Sequence, residues 1–233
     1  MIMSECDIQK EVEQTGNWVN RKIKDISKLE TEAFRKILYY SLIDSFAQSW
    51  KDYPKYNVQN VFSDFILTFS PKYRDILGNV CPVTLFHYLK DENPLLTLRL
   101  PESRILDAQS GILAKESERL LATISNQDTR IKAQKKHRYC QLMYAERNKL
   151  VHELSQVGMP IDFDEPLPHV AQGCKMIDDK LIDTGWELVI PEKFVLSVLE
   201  DVLNGYLAYC VQENIITFGN NTFDRKSKTA WYD

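Results

Sequence analysis

Apolar residues recur along most of the chain at the three-and-four spacing of helices that bury one face. Ile8, Val12, Val19, Ile23, Ile26 and Leu29 mark an N-terminal helix or arm over residues 1–30. Thr31 is placed to cap a second helix carrying Phe34, Ile37, Leu38, Leu42 and Phe46, which should end near Tyr53-Pro54. Shorter helices are expected over 58–69 and 82–89, set apart by the turn-forming Ser70-Pro71 and Gly78-Asn79. A long antiparallel pair should follow: one helix over about 102–125, then, past Asn126-Gln127-Asp128, another over about 129–155. Beyond a Pro- and Asp-rich loop, β-prone pieces at 169–173 and 186–190 suggest a small hairpin. Pro191 then opens a last helix with Phe194, Val195, Val198, Leu199, Val202, Leu203, Leu207 and Val211 on its apolar face. The expectation is an all-α helical bundle in one domain over 31–214, followed by a polar C-terminal tail over 215–233.

Composition narrows the class. Of 233 residues, 44% are hydrophobic and 27% charged, enough apolar material for a real core and unlike a disordered or collagenous chain. No apolar run approaches the ~18 residues of a membrane span, and the opening MIMSECDIQKEVE is acidic and polar where a secretory leader would be basic and then apolar, so the expected setting is cytoplasmic and away from membranes. Five scattered cysteines (Cys6, Cys81, Cys140, Cys174, Cys210) with no Cys-x-x-Cys pair read as reduced thiols rather than a disulfide frame or zinc knuckle.

The formal charge of −4 argues against a nonspecific nucleic-acid coat, but it conceals an asymmetry. Between Arg130 and Lys149, seven basic residues face one acid, Glu146, giving +6 there and −10 elsewhere. A polyanion would be met at this segment.

Phosphate-cradling glycine motifs are absent. His152-Glu153 opens like a zinc-protease motif, but Gln156 stands where the second His is needed. The acids Asp162, Asp164 and Glu165 lack the glycine and closing carboxylate of a calcium loop. What remains is the helix expected over 129–155, which carries two stripes. One is apolar: Cys140, Met143, Leu150, Val151 and Leu154, with Arg147 where a further core residue belongs. The other is polar, with His137, Gln141, Tyr144, Asn148, His152 and Ser155 at spacings of four, three, four, four and three. Arg147 thus lies on a seam, where a guanidinium must find an anion, a carbonyl or a partner subunit. Asp44 on the second helix could face it, although an ordinary polar-face position is the simpler reading.

Arg147-Asn148-Lys149-Leu150-Val151-His152 resembles the motif of the HEPN superfamily, an Arg and a His with four to six residues between them and a polar residue commonly following the Arg. The loose spacing turns up about once by chance in a chain of this length, whereas Arg-Asn-x-x-x-His is expected in roughly one chain in a hundred. Arg130 and His137 also satisfy the loose spacing, but Ile131 follows that Arg and no apolar seam surrounds it.

The resemblance implies an α-helical, often metal-independent ribonuclease acting as a dimer, with both motifs meeting at the two-fold axis. Metal-free RNA cleavage needs a base for the 2′-OH, an acid for the leaving 5′-oxygen and positive charge on the phosphorane, which two copies of an Arg/His motif would supply. Imidazole suits the task because its ordinary pKa of about 6.5 populates both protonation states near neutrality. On this reading Arg147 stabilises the phosphoryl oxygens, Asn148 orients His152 or the phosphate, and Tyr144 lines the groove. Lys132, Lys135, Lys136, Arg138 and Lys149 would contact the RNA backbone, with a solvated face as the alternative. Arg147 and His152 are five residues apart, about 140° around an ideal helix, so something must close that gap.

The implied partners are RNA, a second copy and an antitoxin or other regulatory protein, with no cofactor, in a toxin or host-defence setting. Leu154 replaces the Tyr that nucleotidylation-silenced members carry two residues after the His, so that control is not expected. Two alternatives stay open: a catalytically inactive HEPN module that binds RNA or protein as a dimer, and a helical interaction protein in which Arg147 serves only as an interfacial salt bridge.

Overall fold

The computed structural model describes residues 5–50, 57–101, 105–153, 165–177 and 180–215. Among them run, in chain order, α1 (Glu5–Ile26), α2 (Glu32–Trp50), α3 (Val58–Phe69), α4 (Arg74–Gly78), α5 (Pro82–Lys90), β1 (Ile105–Asp107), α6 (Gly111–Ala122), α7 (Gln127–Lys136), α8 (Tyr139–Glu153), β2 (His169–Ile177), β3 (Lys180–Val189) and α9 (Glu192–Gln212). The architecture is a mostly helical bundle with one small antiparallel sheet in the order β1-β2-β3.

Local chemistry accounts for many of the boundaries. The Asn57 side chain accepts the N–H groups of Gln59 and Asn60 and so caps α3, Ser110 caps α6 through Ile112 N, and Asn126 caps α7 through Thr129 N. Pro82 occupies the first turn of α5, where a missing N–H costs nothing.

The centre of the bundle is α9. By length and hydropathy alone it could cross a membrane, but Phe194, Val195, Val198, Leu199 and Val202 are fully buried against α2 and α3. Phe46, Phe65, Phe69 and Tyr206 meet edge to face or tilted, with ring centroids 5.1 to 5.9 Å apart. Gly205 permits this approach: a Cβ there would stand 2.4 Å from the Phe69 carbonyl oxygen. Helix α1 docks on α9 and α2, placing Ile8, Val12, Val19, Ile23 and Ile26 in the same core. Cys81, Cys140 and Cys210 are buried free thiols. The Tyr53-Pro54 break, most of the Pro- and Asp-rich loop and the tail beyond Ile215 lie outside the described residues.

Three boundaries differ from the hydrophobic pattern. Ile105 and Leu106 start no helix. They form β1 and pair with Ala171 and Val170, and Asp107 Oδ1 accepts the Gln109 N–H to turn the chain before Ser110 caps α6. The hairpin is longer than the apolar pieces alone suggest, because Gly185, at φ +83°, and a bulge at Gly173/Cys174 let pairing continue to Ile177 and Lys180.

The helix expected over 129–155 is two helices. Cys81 N donates to His137 O at 2.9 Å and Tyr139 N donates to Asn79 O at 3.0 Å, so the Asn79–Cys81 segment claims the backbone groups that would have continued the helix. Only α8 carries the motif. The long pair is thereby divided among α6, α7 and α8, with Leu85, Phe86, Leu89, Leu120, Ile124 and Ala133 forming a second small core between α5, α6 and α7.

Candidate functional site

Helix α8 packs against α2 and α3 through a face whose mid-point is a carboxylate. Cys140, Met143 and Leu150 are buried as the apolar stripe predicts, but the position between Met143 and Leu150 belongs to Glu146. The stripe therefore runs one residue away from the expected line. Arg147 lies beside it at the edge, and Val151, expected in the core, is 40% exposed.

Burying Glu146 requires a counter-charge, and α2 provides it. Lys36 Nζ donates to Glu146 Oε1 at 2.6 Å and to the Ile190 carbonyl at 2.7 Å, while the Tyr40 hydroxyl donates to Glu146 Oε2 at 2.5 Å. Burial pushes the Glu146 carboxyl above its ordinary pKa, with Lys36 and Tyr40 pulling back, and burial with the adjacent carboxylate holds the Tyr40 hydroxyl well above its own.

One turn further along α2, Asp44 does face the motif. Arg147 Nη2 donates to Asp44 Oδ2 at 2.8 Å and Nη1 donates to Asn148 Oδ1 at 3.0 Å, while Gln48 Nε2 also donates to Asp44 Oδ2 at 3.0 Å. The side chains are 21% exposed for Arg147 and 6% for Asp44. The Arg147 guanidinium carbon lies 6.0 Å from the Tyr144 ring centroid, and that ring packs on Phe62 at 5.4 Å. Lys36, Tyr40 and Asp44, spaced by four on α2, thus meet the consecutive Glu146 and Arg147 of α8.

His152 is exposed in the last turn of α8, one turn beyond Asn148. Arg147 bonds sideways to Asn148 and across to Asp44 of α2, and helix geometry sets it about 140° round α8 from His152. Lys149 is exposed on the same helix.

The other basic candidates belong to α7 and the junction. Lys132 and Lys135 are exposed, Lys136 is exposed with its Nζ 4.6 Å from the Tyr88 ring centroid, and Arg138 is half-buried after the break. The polar row is likewise split. Gln141 is buried, His137 closes α7 rather than lining α8, and Ser155 and Leu154 lie outside the described residues.

His137 places Nδ1 3.2 Å from Thr84 Oγ1, and burial first, then the Lys136 charge, lowers its pKa to about 4. Arg130 donates Nε and Nη2 to the Ile124 carbonyl, so it closes the end of α6 and forms no pair with His137. His87 lies 3.4 Å from the Trp186 carbonyl and His169 is buried with Nδ1 3.0 Å from the Leu167 carbonyl, structural placements both. Among the described residues no group of three or more His, Cys, Asp or Glu is arranged to hold a metal ion.

Sequence reasoning missed Lys36, Tyr40 and Glu146. The available signal was an acid at the core position of α8, which demands a base somewhere, but periodicity does not say on which element. No family model matches the chain, and neither a curated protein nor a solved structure matches it.

Proposed function

We propose that the protein is a metal-independent endoribonuclease that cleaves single-stranded RNA at a site built from Arg147 and His152 of two copies, in the manner of the HEPN superfamily. The observation that carries this reading is the part-buried Arg147 guanidinium bonded to Asn148, one turn before the exposed His152 on the same helix. An anion-binding group, an orienting amide and a proton-transfer group then come from one helix, with the second copy completing the site.

In the reaction, the ribose 2′-oxygen forms a bond to the adjacent phosphorus while its proton passes to one imidazole. The bond from phosphorus to the 5′-oxygen breaks, and that oxygen takes a proton from the imidazolium of the other copy. Arg147 of each subunit offsets the charge on the non-bridging oxygens, and the products are a 2′,3′-cyclic phosphate and a 5′-hydroxyl. Tyr144 offers a ring for a base to stack on, and Lys132, Lys135, Lys136, Arg138 and Lys149 supply charge for the backbone. The setting fitting such an enzyme is cytoplasmic toxin or host defence, restrained by an antitoxin or other regulatory protein.

The Asp44–Arg147 pair favours a second reading, a catalytically silent module binding RNA or protein, because the guanidinium already has a counter-ion.

The test is incubation of purified protein with single-stranded RNA in EDTA, alongside His152→Ala and Arg147→Ala. The nuclease reading expects 5′-hydroxyl and cyclic-phosphate ends from the native protein and their loss in both variants. Cleavage that survives His152→Ala takes the activity away from this motif, and no cleavage at all leaves the silent module.

A further inference from the structure

We infer that Asp44 is a positioning residue for Arg147, an inference that rests on the nuclease reading for its catalytic meaning but not for its geometry. Asp44 is 96% buried by residue, its side chain is 6% exposed, and it comes from a different helix than the motif. Its carboxylate is itself held, since Gln48 one turn on donates to the same Oδ2 that takes Arg147 Nη2.

A guanidinium has five N–H donors in a rigid plane. In Arg147 one N–H of Nη2 goes to Asp44 and one of Nη1 to Asn148, while Nε is buried without a partner among the described residues. The plane is thereby tied on two sides. Each Nη retains one N–H, and only the exposed fifth of the side chain is open to a phosphate. Without Asp44, rotation about the side-chain torsions would spread those donors over many directions, and a side chain as long as Arg has much rotamer freedom to lose.

Removing the Asp44 charge should separate binding from turnover. An adjacent carboxylate weakens attraction for an RNA phosphate while fixing where the donors point. Replacing Asp44 by Asn keeps the shape and an acceptor oxygen but removes the charge. RNA binding should then hold or tighten while turnover falls, a split that general loss of structure does not give.

Two measurements on the 233-residue chain test this. The first is guanidinium NMR with labelled arginine, the Arg147 signals being assigned by their loss in Arg147→Lys. Native Arg147 should show separate, slowly exchanging Nη signals that merge in Asp44→Asn; merged signals already in the native protein would overturn the inference, and this holds even if Asp44→Asn does not fold. The second is cleavage kinetics in EDTA: Asp44→Asn should lower kcat by about a hundredfold without raising KM, with Asp44→Glu recovering part of the rate. An Asp44→Asn protein with native kcat overturns the inference. A native protein that cleaves no RNA overturns the nuclease reading instead, and the NMR result then decides the role of Asp44 alone.

Discussion

Lys36 Nζ and Glu146 Oε1 lie 2.6 Å apart with side chains only 2% and 1% exposed, so an ion pair sits wholly inside the contact of α2 with α8. Taking both charges out of water costs several kcal/mol per ion, and the pair recovers this only because Ile190 O and the Tyr40 hydroxyl complete the bonding. Removing one partner is therefore worse than removing both. Lys36→Met should cost about 3 to 5 kcal/mol, whereas Lys36→Met with Glu146→Leu should recover most of it. Urea denaturation of the two single variants and the double variant measures the coupling; equal losses in all three would show that the pair does not fix how α8 sits on α2.

Arg147 and His152 should separate in stability as well as in chemistry. Arg147→Ala strands the buried Asp44 carboxylate, and since the pair is partly solvated the cost should be about 1 to 3 kcal/mol rather than the full buried value. His152 is exposed, so His152→Ala should stay within about 0.5 kcal/mol of the native protein. That makes His152→Ala the variant in which lost cleavage can be assigned to chemistry. Thermal melts of both variants check the contrast, and an unfolded His152→Ala would mean that the end of α8 is held by something other than the contacts described.

Much of the fold was legible because it rests on local rules. The spans of α1, α2, α3, α5 and α9 follow from apolar period, caps and Pro positions. What stayed hidden was decided by distant backbone and by pairs. The break at His137 is made by Asn79 and Cys81, some sixty residues earlier, and β1 exists because β2 offers it an edge. At the candidate site, the sequence placed Arg147, Asn148 and His152 on one helix, but the assignment of the core position to Glu146 depends on Lys36 and Tyr40, whose own helix reads as ordinary. Asp44 was visible only as one polar residue among several.

His137 gives the protein an acid-side weakness. Its folded pKa of about 4 lies below the ordinary imidazole value of 6.5, so the unfolded chain binds more protons between those limits. Its contribution to stability is full above pH 6.5 and declines as pH falls toward 4, by up to about 3 kcal/mol. Glu146 works in the opposite sense: its raised folded pKa contributes stability that is lost as pH rises through that value. The His137 share is therefore read as a difference. Between pH 6.5 and 4, His137→Gln should lose less stability than the native protein, and parallel curves would refute the assignment.

Gly205 should tolerate no side chain. A Cβ would stand 2.4 Å from Phe69 O, 3.2 Å from its carbonyl carbon and 3.3 Å from its Cα, all backbone atoms that cannot step aside without moving α3 from α9. Ordinarily Gly→Ala inside a helix gains up to about 1 kcal/mol, but here overpacking should dominate and Gly205→Ala should lose about 1 to 3 kcal/mol. A melting temperature at or above the native value would show that the helices separate freely there.

The basic face of α7 can be judged by salt. If Lys132 and Lys135 neutralise RNA phosphates, each contact removed should lower the magnitude of the slope of log K against log salt by about 0.7 for a single strand. Measuring binding on a His152→Ala background keeps the RNA intact, and Lys132→Ser with Lys135→Ser should then weaken binding with little regard to base sequence. Both residues are exposed on a helix that buries only Ala133, so the substitutions should leave the fold undisturbed and the slope directly interpretable. An unchanged slope would make α7 a solvated face and confine RNA contact to α8.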